Sequence, residues 1–417
     1  MNKPKQVVVL CGGLGTRLLP YTENLPKPMI LCNEKPFLLY LLQQMSDQGL
    51  KEFVLLTGYL GENIRNFFGD GSKWGWTVHY SNGPYSWDTG KRIWEARYKL
   101  DETFLLLYSD NFVPFSLDKA FMLHEKNQTG LTLTVSPKRP GNIAIAESGI
   151  VKKYDNNRSN HILDFVEIGY MIIEKDKTLD FYLSPECSFS KIIERMVAKK
   201  EVSAWVNYDY YHSISDPKRW KKTEEYLNLK KIILIDRDGV INKKAPRGEY
   251  ISSWNEFEWI ADTRVALKLL AKKGFKFIVI SNQAGIARGM VTLNELEKIH
   301  INMMKELLSD GIEILDIYIC PHHWDEECLC RKPNPGMLLK ASKDWLLRLD
   351  KTLFIGDDHR DSKASYNAGC KSILIGEKTE TAKLLENEMP IYTNIRLTQC
   401  ISNILDFFNT NNSNDNN

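Results

Sequence analysis

Nowhere in the 417 residues does an apolar run approach the roughly 18 residues that cross a bilayer, which excludes a helical membrane span. A dominant charge is also missing. Lys+Arg 55 against Asp+Glu 53 leaves +2, so no bulk field points to a nucleic-acid partner. Met1–Gln6 leads straight into the strand-like Val7–Leu10 without the basic and apolar regions of a signal peptide. Cysteine is sparse: eight in a chain this long make no disulfide scaffold, and three fall between 320 and 330. That clustering suggests a metal site in a reducing compartment. No internal repeat is present. What remains, 43% hydrophobic and 26% charged residues, is ordinary globular composition. The expectation is a cytoplasmic protein acting on small molecules, without membrane or nucleic-acid partners and open to self-association. A soft prior of roughly 150 residues per domain allows two or three domains.

The pattern of elements then divides the chain. Val7–Leu10, a Gly-rich turn and a helical stretch Pro36 to Gln48 open an α/β unit. The apolar runs Phe53 to Thr57 and Phe104 to Tyr108 continue it, and a helix from Pro217 to Leu227 closes it. Strands between Leu131 and Ile173 are less regular, with a polar stretch at Asp155 to Asn160. Near residue 230 the pattern restarts with the strand Lys231 to Ile235 and alternates again through Ile375. Short apolar strands alternating with helices argue for α/β architecture. The reading is two doubly wound, Rossmann-like domains, 1–227 and 228–408. The Asn-rich residues 409–417 are expected to be a disordered tail.

Leu10-Cys-Gly-Gly-Leu-Gly-Thr-Arg17 sets three glycines and an arginine directly after a buried strand. Glycine lets backbone N–H groups approach phosphate oxygens, and Arg17 can offset charge there. In Leu25-Pro-Lys-Pro-Met29 two prolines hold Lys27, either as a fixed counter-charge or as a solvated loop lysine. Together these stretches resemble the sugar-1-phosphate nucleotidyltransferases, over roughly residues 5 to 227. The resemblance implies that Gly12, Gly13, Gly15 and Thr16 cradle a nucleoside triphosphate and that Arg17 and Lys27 stabilise charge. It implies that Asp110, in Leu107-Tyr-Ser-Asp-Asn111, holds Mg²⁺. Thr89 and Gly90, in Trp87-Asp-Thr-Gly-Lys-Arg-Ile93, match an element near the nucleotide. Later motifs depart from the family: Ser213 stands where a second metal-binding Asp is expected. The Glu-Lys pair that meets the sugar phosphate has no counterpart around Tyr154 to Asn157, and Glu167-Ile-Gly-Tyr170 replaces Asn-Ala-Gly. A serine is a poor ligand for a hard cation. Asp209 or Asp216 is a substitute, and an inactive transferase-like module is the alternative.

In the second half, Ile235-Asp-Arg-Asp-Gly-Val240 ends a strand with two carboxylates two residues apart, facing the same way along an extended chain. Such a pair suits metal binding with nucleophilic and acid–base work. Ile280-Ser-Asn-Gln283 offers a hydroxyl and amides, Arg331-Lys-Pro-Asn-Pro-Gly336 a fixed lysine, and Phe354-Ile-Gly-Asp-Asp-His-Arg-Asp361 further carboxylates. Ligands of open α/β sheets gather at strand carboxyl ends, so these four strings can converge. In this order they resemble the haloacid-dehalogenase (HAD) phosphatases. The resemblance implies Asp236 as nucleophile, Asp238 as acid and base, and Ser281, Asn282, Arg331 and Lys332 around the phosphoryl group. It implies Mg²⁺ on Asp236, Asp357 and the carbonyl of Asp238, with Asp361 in support.

Cys320-Pro-His-His-Trp-Asp-Glu-Glu-Cys-Leu-Cys330 offers three thiols and an imidazole within eleven residues, a four-ligand set suited to structural Zn²⁺. The family pattern uses the first histidine, which makes the ligands Cys320, His322, Cys328 and Cys330. Zinc narrows the resemblance to a cap-less branch containing histidinol phosphate phosphatases and heptose 1,7-bisphosphate 7-phosphatases. The five-residue spacing between His322 and Cys328 is closer to the former, whereas an attached sugar nucleotidyltransferase favours the latter. The implied activity is bifunctional: dephosphorylation of heptose 1,7-bisphosphate at C7, then transfer of GMP from GTP to heptose 1-phosphate for a surface glycan such as lipopolysaccharide or capsule. A cytidylyl- or uridylyltransferase for another sugar or polyol phosphate is the alternative, as is a monofunctional phosphatase.

Overall fold

The computed structural model describes residues 2–414 apart from 158–161, 185, 187, 247 and 377. It divides into two compact units, Met1–Asn228 and Leu229–Asn417. The boundary follows the helix Pro217–Leu227, which has Asp216 as N-cap and proline at its first position. There the missing N–H of Pro217 costs no hydrogen bond.

In the first unit Gln6–Cys11 lies between Glu52–Thr57 and Thr103–Tyr108, parallel to both, and Thr77–Asn82 continues the parallel side. Val7, Val8 and Val9 are fully buried, as an unbroken β-branched run requires when a strand is covered on both faces. Beyond Thr103–Tyr108 the sheet turns antiparallel. Phe165–Glu174 pairs with it and with Leu131–Pro137, with a register shift between Glu167 and Met171. This is the irregular stretch of the sequence: antiparallel neighbours need no crossover helix, so the alternating pattern lapses there. Of the polar stretch Asp155 to Asn160, residues 158–160 lie outside the described residues. A short ladder sets His212–Ser213 against Asn111–Phe112, with Ser213 opposite Asn111.

The second unit is built on a parallel sheet ordered Ile314–Cys320, Lys276–Asn282, Ile232–Ile235, Leu353–Gly356, Lys371–Ile375, Tyr392–Asn394. Its strands bury both faces. Ile233, Ile235, Phe277 and Val279 enter one core, while Ile232, Leu234, Ile278 and Ile280 enter the other. The chain moves outward from Ile232–Ile235 in one direction and then, from Leu353–Gly356, in the other. The order therefore reverses between these two strands, where a crevice opens at the carboxyl ends.

The C-terminal segment differs from expectation. A helix, Ile401–Asn414, runs through most of the stretch read as a tail from residue 409. Ile404 and Phe408 are buried, Phe408 meeting Phe275 edge-on at 4.8 Å, and Lys351 Nζ donates to Asn411 Oδ1 at 3.1 Å. Anchored below, the helix propagates into Asn-rich sequence at small cost per residue. Residues 415–417 lie outside the described residues.

Candidate active sites and metal centre

In the first unit the Gly-rich turn is held from outside itself. A Cβ on Gly12 would lie 2.1 Å from Arg92 Cζ. The buried Arg92 guanidinium donates to the carbonyls of Gly12 at 3.1 Å, Thr57 at 2.8 Å and Pro84 at 2.7 Å. Gly15 adopts a left-handed φ of 67° and packs against Lys27, whose Cβ would be 2.9 Å from a Cβ added there. Gly13 is exposed, and Thr16 and Arg17 face solvent on a single 3-10 turn, Thr16–Leu18. Lys27 Nζ lies 2.6 Å from Asp110 Oδ2. Asp110 follows Thr103–Tyr108, whose end is tied to the neighbouring strand by Ser109 Oγ donating to the Leu10 carbonyl at 2.6 Å. The structure thus brings the Gly-rich turn, Lys27 and Asp110 together at the carboxyl ends of parallel strands. Thr89 and Gly90 open the helix Thr89–Ala96, capped by Asp88, and it is Arg92 on that helix that meets the turn. Nothing in the local pattern signals this, because an Arg in a Lys-Arg pair reads as solvated. Burial pushes the Cys11 thiol up to about 12, which leaves it inert beside the turn.

Ser213 sits beside Asp110 through the backbone ladder, but its hydroxyl is committed. Arg219 Nη1 donates to it at 3.2 Å, and Ser215 Oγ lies 3.2 Å away. Asp216 accepts from Arg219 N as a helix cap, and Asp209 accepts from Tyr210 N. Among the described residues, every cluster of three or more metal-ligand side chains lies in the second unit. Neither Asp209 nor Asp216 joins Asp110 in such a cluster.

In the second unit, Asp236 follows Ile232–Ile235 and its N–H pairs with the Ile355 carbonyl at 2.8 Å. Lys332, 2% exposed, projects its ammonium between two carboxylates, 2.9 Å from Asp236 Oδ2 and 2.8 Å from Asp361 Oδ1. It also donates to the Ile280 carbonyl at 3.0 Å. Asn282 clamps the backbone of Lys332, accepting from its N–H at 3.0 Å and donating to its carbonyl at 3.1 Å. Asp361 is used up in support: its Oδ2 accepts the N–H groups of Asp357 and Asp358 at 3.1 Å each, in the capping box that starts the helix His359–Ala368. Gly356 permits this, since a Cβ there would stand 2.3 Å from that of Asp361.

Asp238 is gripped by donors. Arg237 Nη2 reaches both its oxygens at 2.9 Å, Asn242 Nδ2 reaches Oδ1 at 2.9 Å and Gln283 Nε2 reaches Oδ2 at 2.8 Å. Burial alone would raise its pKa, but the Arg237 charge and these donors outweigh it and hold the carboxyl below its usual range. Arg237 is itself buried, and its Nη1 faces His300 Nε2 at 3.1 Å. Burial and that guanidinium push His300 down to about 3, so it meets Arg237 as a neutral acceptor. Asp236 and Asp357 shift the other way, raised chiefly by burial, Asp357 to about 6. Arg237, Lys244 and Gln283 were not singled out from sequence, although Arg237 and Gln283 lay within quoted motifs.

Of the three clusters of metal-ligand side chains among the described residues, two fit the ions expected from sequence. Carboxylate oxygens of Asp236, Asp357 and Asp361 lie within 4.8 Å of one another. Asp357 Oδ1 is buried without a hydrogen-bond partner, while its Oδ2 meets Lys244 at 2.5 Å. A buried orphan oxygen beside a second carboxylate suits a hard divalent cation. The other site is Cys320, His322, Cys328 and Cys330. Cys320 Sγ is 3.6 Å from both His322 Nδ1 and Cys328 Sγ, and His322 Nδ1 is 3.2 Å from Cys330 Sγ. Ligands about 2.0–2.3 Å from a tetrahedral zinc would stand roughly 3.3–3.8 Å apart, so the donor set fits. Arg331 Nη1 leans on the His322 carbonyl at 3.5 Å, tying the clip to the residue before Lys332. Above these groups opens a cleft of about 770 Å³, lined also by Lys244, Tyr250, Arg288 and Trp324.

Comparison with known proteins finds a different family model in each half of the chain. The Nucleotidyl transferase family model matches residues 6–167, and the Polynucleotide kinase 3 phosphatase model matches 231–372. A D-glycero-alpha-D-manno-heptose-1,7-bisphosphate 7-phosphatase of Photorhabdus laumondii is 35% identical over 174 residues, covering 38% of this chain and 93% of its own length. A D-glycero-beta-D-manno-heptose-1,7-bisphosphate 7-phosphatase of Pseudomonas putida is 37% identical over 153 residues, covering 36% and 86%. Among solved structures, HddC from Yersinia pseudotuberculosis aligns with 53% of this chain and 98% of its own at 22% identity and a TM-score of 0.45. Through its second unit the chain belongs to the D-glycero-D-manno-heptose-1,7-bisphosphate 7-phosphatases, here joined to a nucleotidyltransferase domain.

Proposed function

We propose that the second unit removes the 7-phosphate of heptose 1,7-bisphosphate and that the first transfers a nucleotidyl group, guanylyl from GTP, to the heptose 1-phosphate that remains. The observation that carries the phosphatase reading is the Lys332 ammonium between Asp236 and Asp361 at the base of an open cleft. A cation fixed there offsets the charge of a phosphoryl group brought against a carboxylate nucleophile.

Asp236 attacks phosphorus, and the P–O bond to the sugar breaks with its electron pair on oxygen. Asp238 protonates that oxygen. Water then attacks the aspartyl phosphate, Asp238 takes the proton of the water, and phosphate leaves with Asp236 restored. Ser281, Asn282, Arg331 and Lys332 orient the phosphoryl group. Asp236, Asp357 and the Asp238 carbonyl would hold Mg²⁺, which when bound draws charge from the phosphoryl oxygens. Zn²⁺ on Cys320, His322, Cys328 and Cys330 would be structural, holding the loop between Ile314–Cys320 and Gly336–Trp345 that carries Lys332.

In the first unit Gly12, Gly13, Gly15 and Thr16 would cradle the triphosphate, with Thr89 and Gly90 near the nucleotide. Arg17 and Lys27 would offset charge as pyrophosphate leaves, and Asp110 would hold Mg²⁺. Successive steps on one sugar account for the fusion, and both belong in the cytoplasm. The contacts of Ser213 with Arg219 favour one other reading, a first unit that binds without catalysing. The test is pyrophosphate and phosphate release by the whole chain with heptose 1,7-bisphosphate and each of four nucleoside triphosphates. Phosphate without pyrophosphate from every nucleotide would sink the transferase reading, and no phosphate at all would sink the phosphatase reading.

A further inference from the structure

Gln283 belongs to the motif that ends Lys276–Asn282, yet no role above uses its side chain. It is buried, 3% exposed, and both hydrogens of its amide nitrogen are spent within the site. One goes to Asp238 Oδ2 at 2.8 Å and the other to Ser281 Oγ at 2.8 Å. The orientation of the amide follows from chemistry. Reversed, it would turn a carbonyl oxygen toward the Asp238 carboxylate. Ser281 Oγ, accepting from the amide, keeps its own hydrogen for another acceptor. One planar group therefore sets the Asp238 carboxylate at a fixed offset from the hydroxyl at the phosphoryl position.

The residue is also anchored at its backbone. Gln283 N donates to the Cys320 carbonyl at 2.8 Å, and its own carbonyl accepts from Ile286 N at 3.2 Å. Arg237 Nη2 bridges both oxygens of Asp238 and Asn242 adds a donor to Oδ1, while Gln283 supplies the second donor to Oδ2 and ties that oxygen to Ser281. Removing one donor from a buried carboxylate loosens its rotamer without removing its charge.

We propose that Gln283 is a positioning residue for proton transfer: anchored on Ser281 and Cys320, it aims Asp238 at the oxygen that leaves phosphorus. The proposal rests on the reading of Asp238 as acid and base. It concerns the step in which the sugar P–O bond breaks and the leaving oxygen receives the Asp238 proton. An alkyl leaving group needs that proton, whereas p-nitrophenolate departs without it.

The test is single-turnover phosphorylation of Asp236, measured with heptose 1,7-bisphosphate and with p-nitrophenyl phosphate. Gln283→Met should slow the sugar ester at least thirtyfold and the nitrophenolate burst less than threefold. Asp238→Asn serves as reference and should show the same split, larger in size. Equal losses on both esters in Gln283→Met, or no loss on either, overturn the proposal. If Asp238→Asn itself shows no split, it is the assignment of Asp238 that fails. Should the methionine variant not fold by circular dichroism, Gln283→Glu decides. It keeps the shape, and its carboxylate repels Asp238, so the split should persist; equal losses there overturn the proposal.

Discussion

Lys27 and Asp110, 83 residues apart in the chain, meet at 2.6 Å where the first sheet opens. The pair joins the Pro-Lys-Pro loop to the end of Thr103–Tyr108, so each residue depends on the other for its place. Asp110→Asn keeps the shape and removes the charge. Pyrophosphate release should fall at least a hundredfold, while phosphate release by the same chain stays within twofold. Parallel assays of both products on one preparation check this. A common loss would mean that the substitution had damaged the protein at large.

Gly12→Ala should destabilise the first unit, because the added methyl meets the Arg92 guanidinium well inside van der Waals contact. Overpacking of this kind typically costs about 1–3 kcal/mol. Here it also disturbs three hydrogen bonds to carbonyls. Hydrogen exchange of the amides in residues 6–17 should quicken, with no change in Ile232–Ile235. Gly13→Ala, with nothing within 4 Å of the added carbon, should leave exchange unchanged.

Lys332→Met would leave Asp236 and Asp361 facing each other without the cation between them. Breaking a buried charge cluster from one side costs about 3–5 kcal/mol, and phosphate release should drop at least a thousandfold. The thermal transition of the second unit should fall at pH 8 and recover partly at pH 5. Protonation of the paired carboxyls relieves the repulsion at the lower pH.

Magnesium binding should be pH-dependent with a definite sign. Burial raises the pKa of Asp236 and of Asp357, the latter from 3.8 to about 6, so in the metal-free protein both hold protons longer than in the unfolded chain. Stability of the metal-free unit from these groups is full below about pH 4 and declines as pH rises through the folded values. Binding requires the ionised forms and displaces protons. Affinity should therefore climb from pH 5 to about 7 and level off above. Titration calorimetry in buffers of different ionisation enthalpy should detect proton release at pH 5.5 and little at pH 8.

Cys330→Ser removes one of four ligands around the proposed zinc. Metal analysis should show about one zinc per chain in the parent and well under half in the variant. Phosphate release should fall, because Lys332 lies two residues further on, while pyrophosphate release should persist. Zinc retained at full stoichiometry would remove Cys330 from the ligand set.

Much of the second unit could be read from sequence because its strand ends carry residues of unusual chemistry. Asp236, Ser281, Cys320 and Asp357 each terminate or follow an apolar run, and the sheet order sets those runs side by side. The helix Pro217–Leu227 was legible to the residue because cap and proline mark its start. The strand Ile314–Cys320 is less plain in the sequence. Asp316 interrupts its apolar pattern, yet Trp345 Nε1 satisfies that carboxylate at 3.2 Å. Groups that act through others escaped altogether. Arg92, Arg237 and Lys244 look like surface charges until the fold supplies their partners, all but one of them distant in the chain. The helix beyond residue 409 escaped for a similar reason: its anchor on Phe275 and Lys351 is tertiary, and asparagine-rich composition conceals it.

The clasp of Arg92 on three carbonyls has a practical consequence for redesigning the Gly-rich turn. A library randomised only within Leu10–Arg17 would sample turns already committed to one guanidinium, and most members would fail for that reason alone. Varying position 92 together with 12 and 58 would let the turn and its clasp change as one unit, since a Cβ at Gly58 would also meet Arg92, at 2.7 Å.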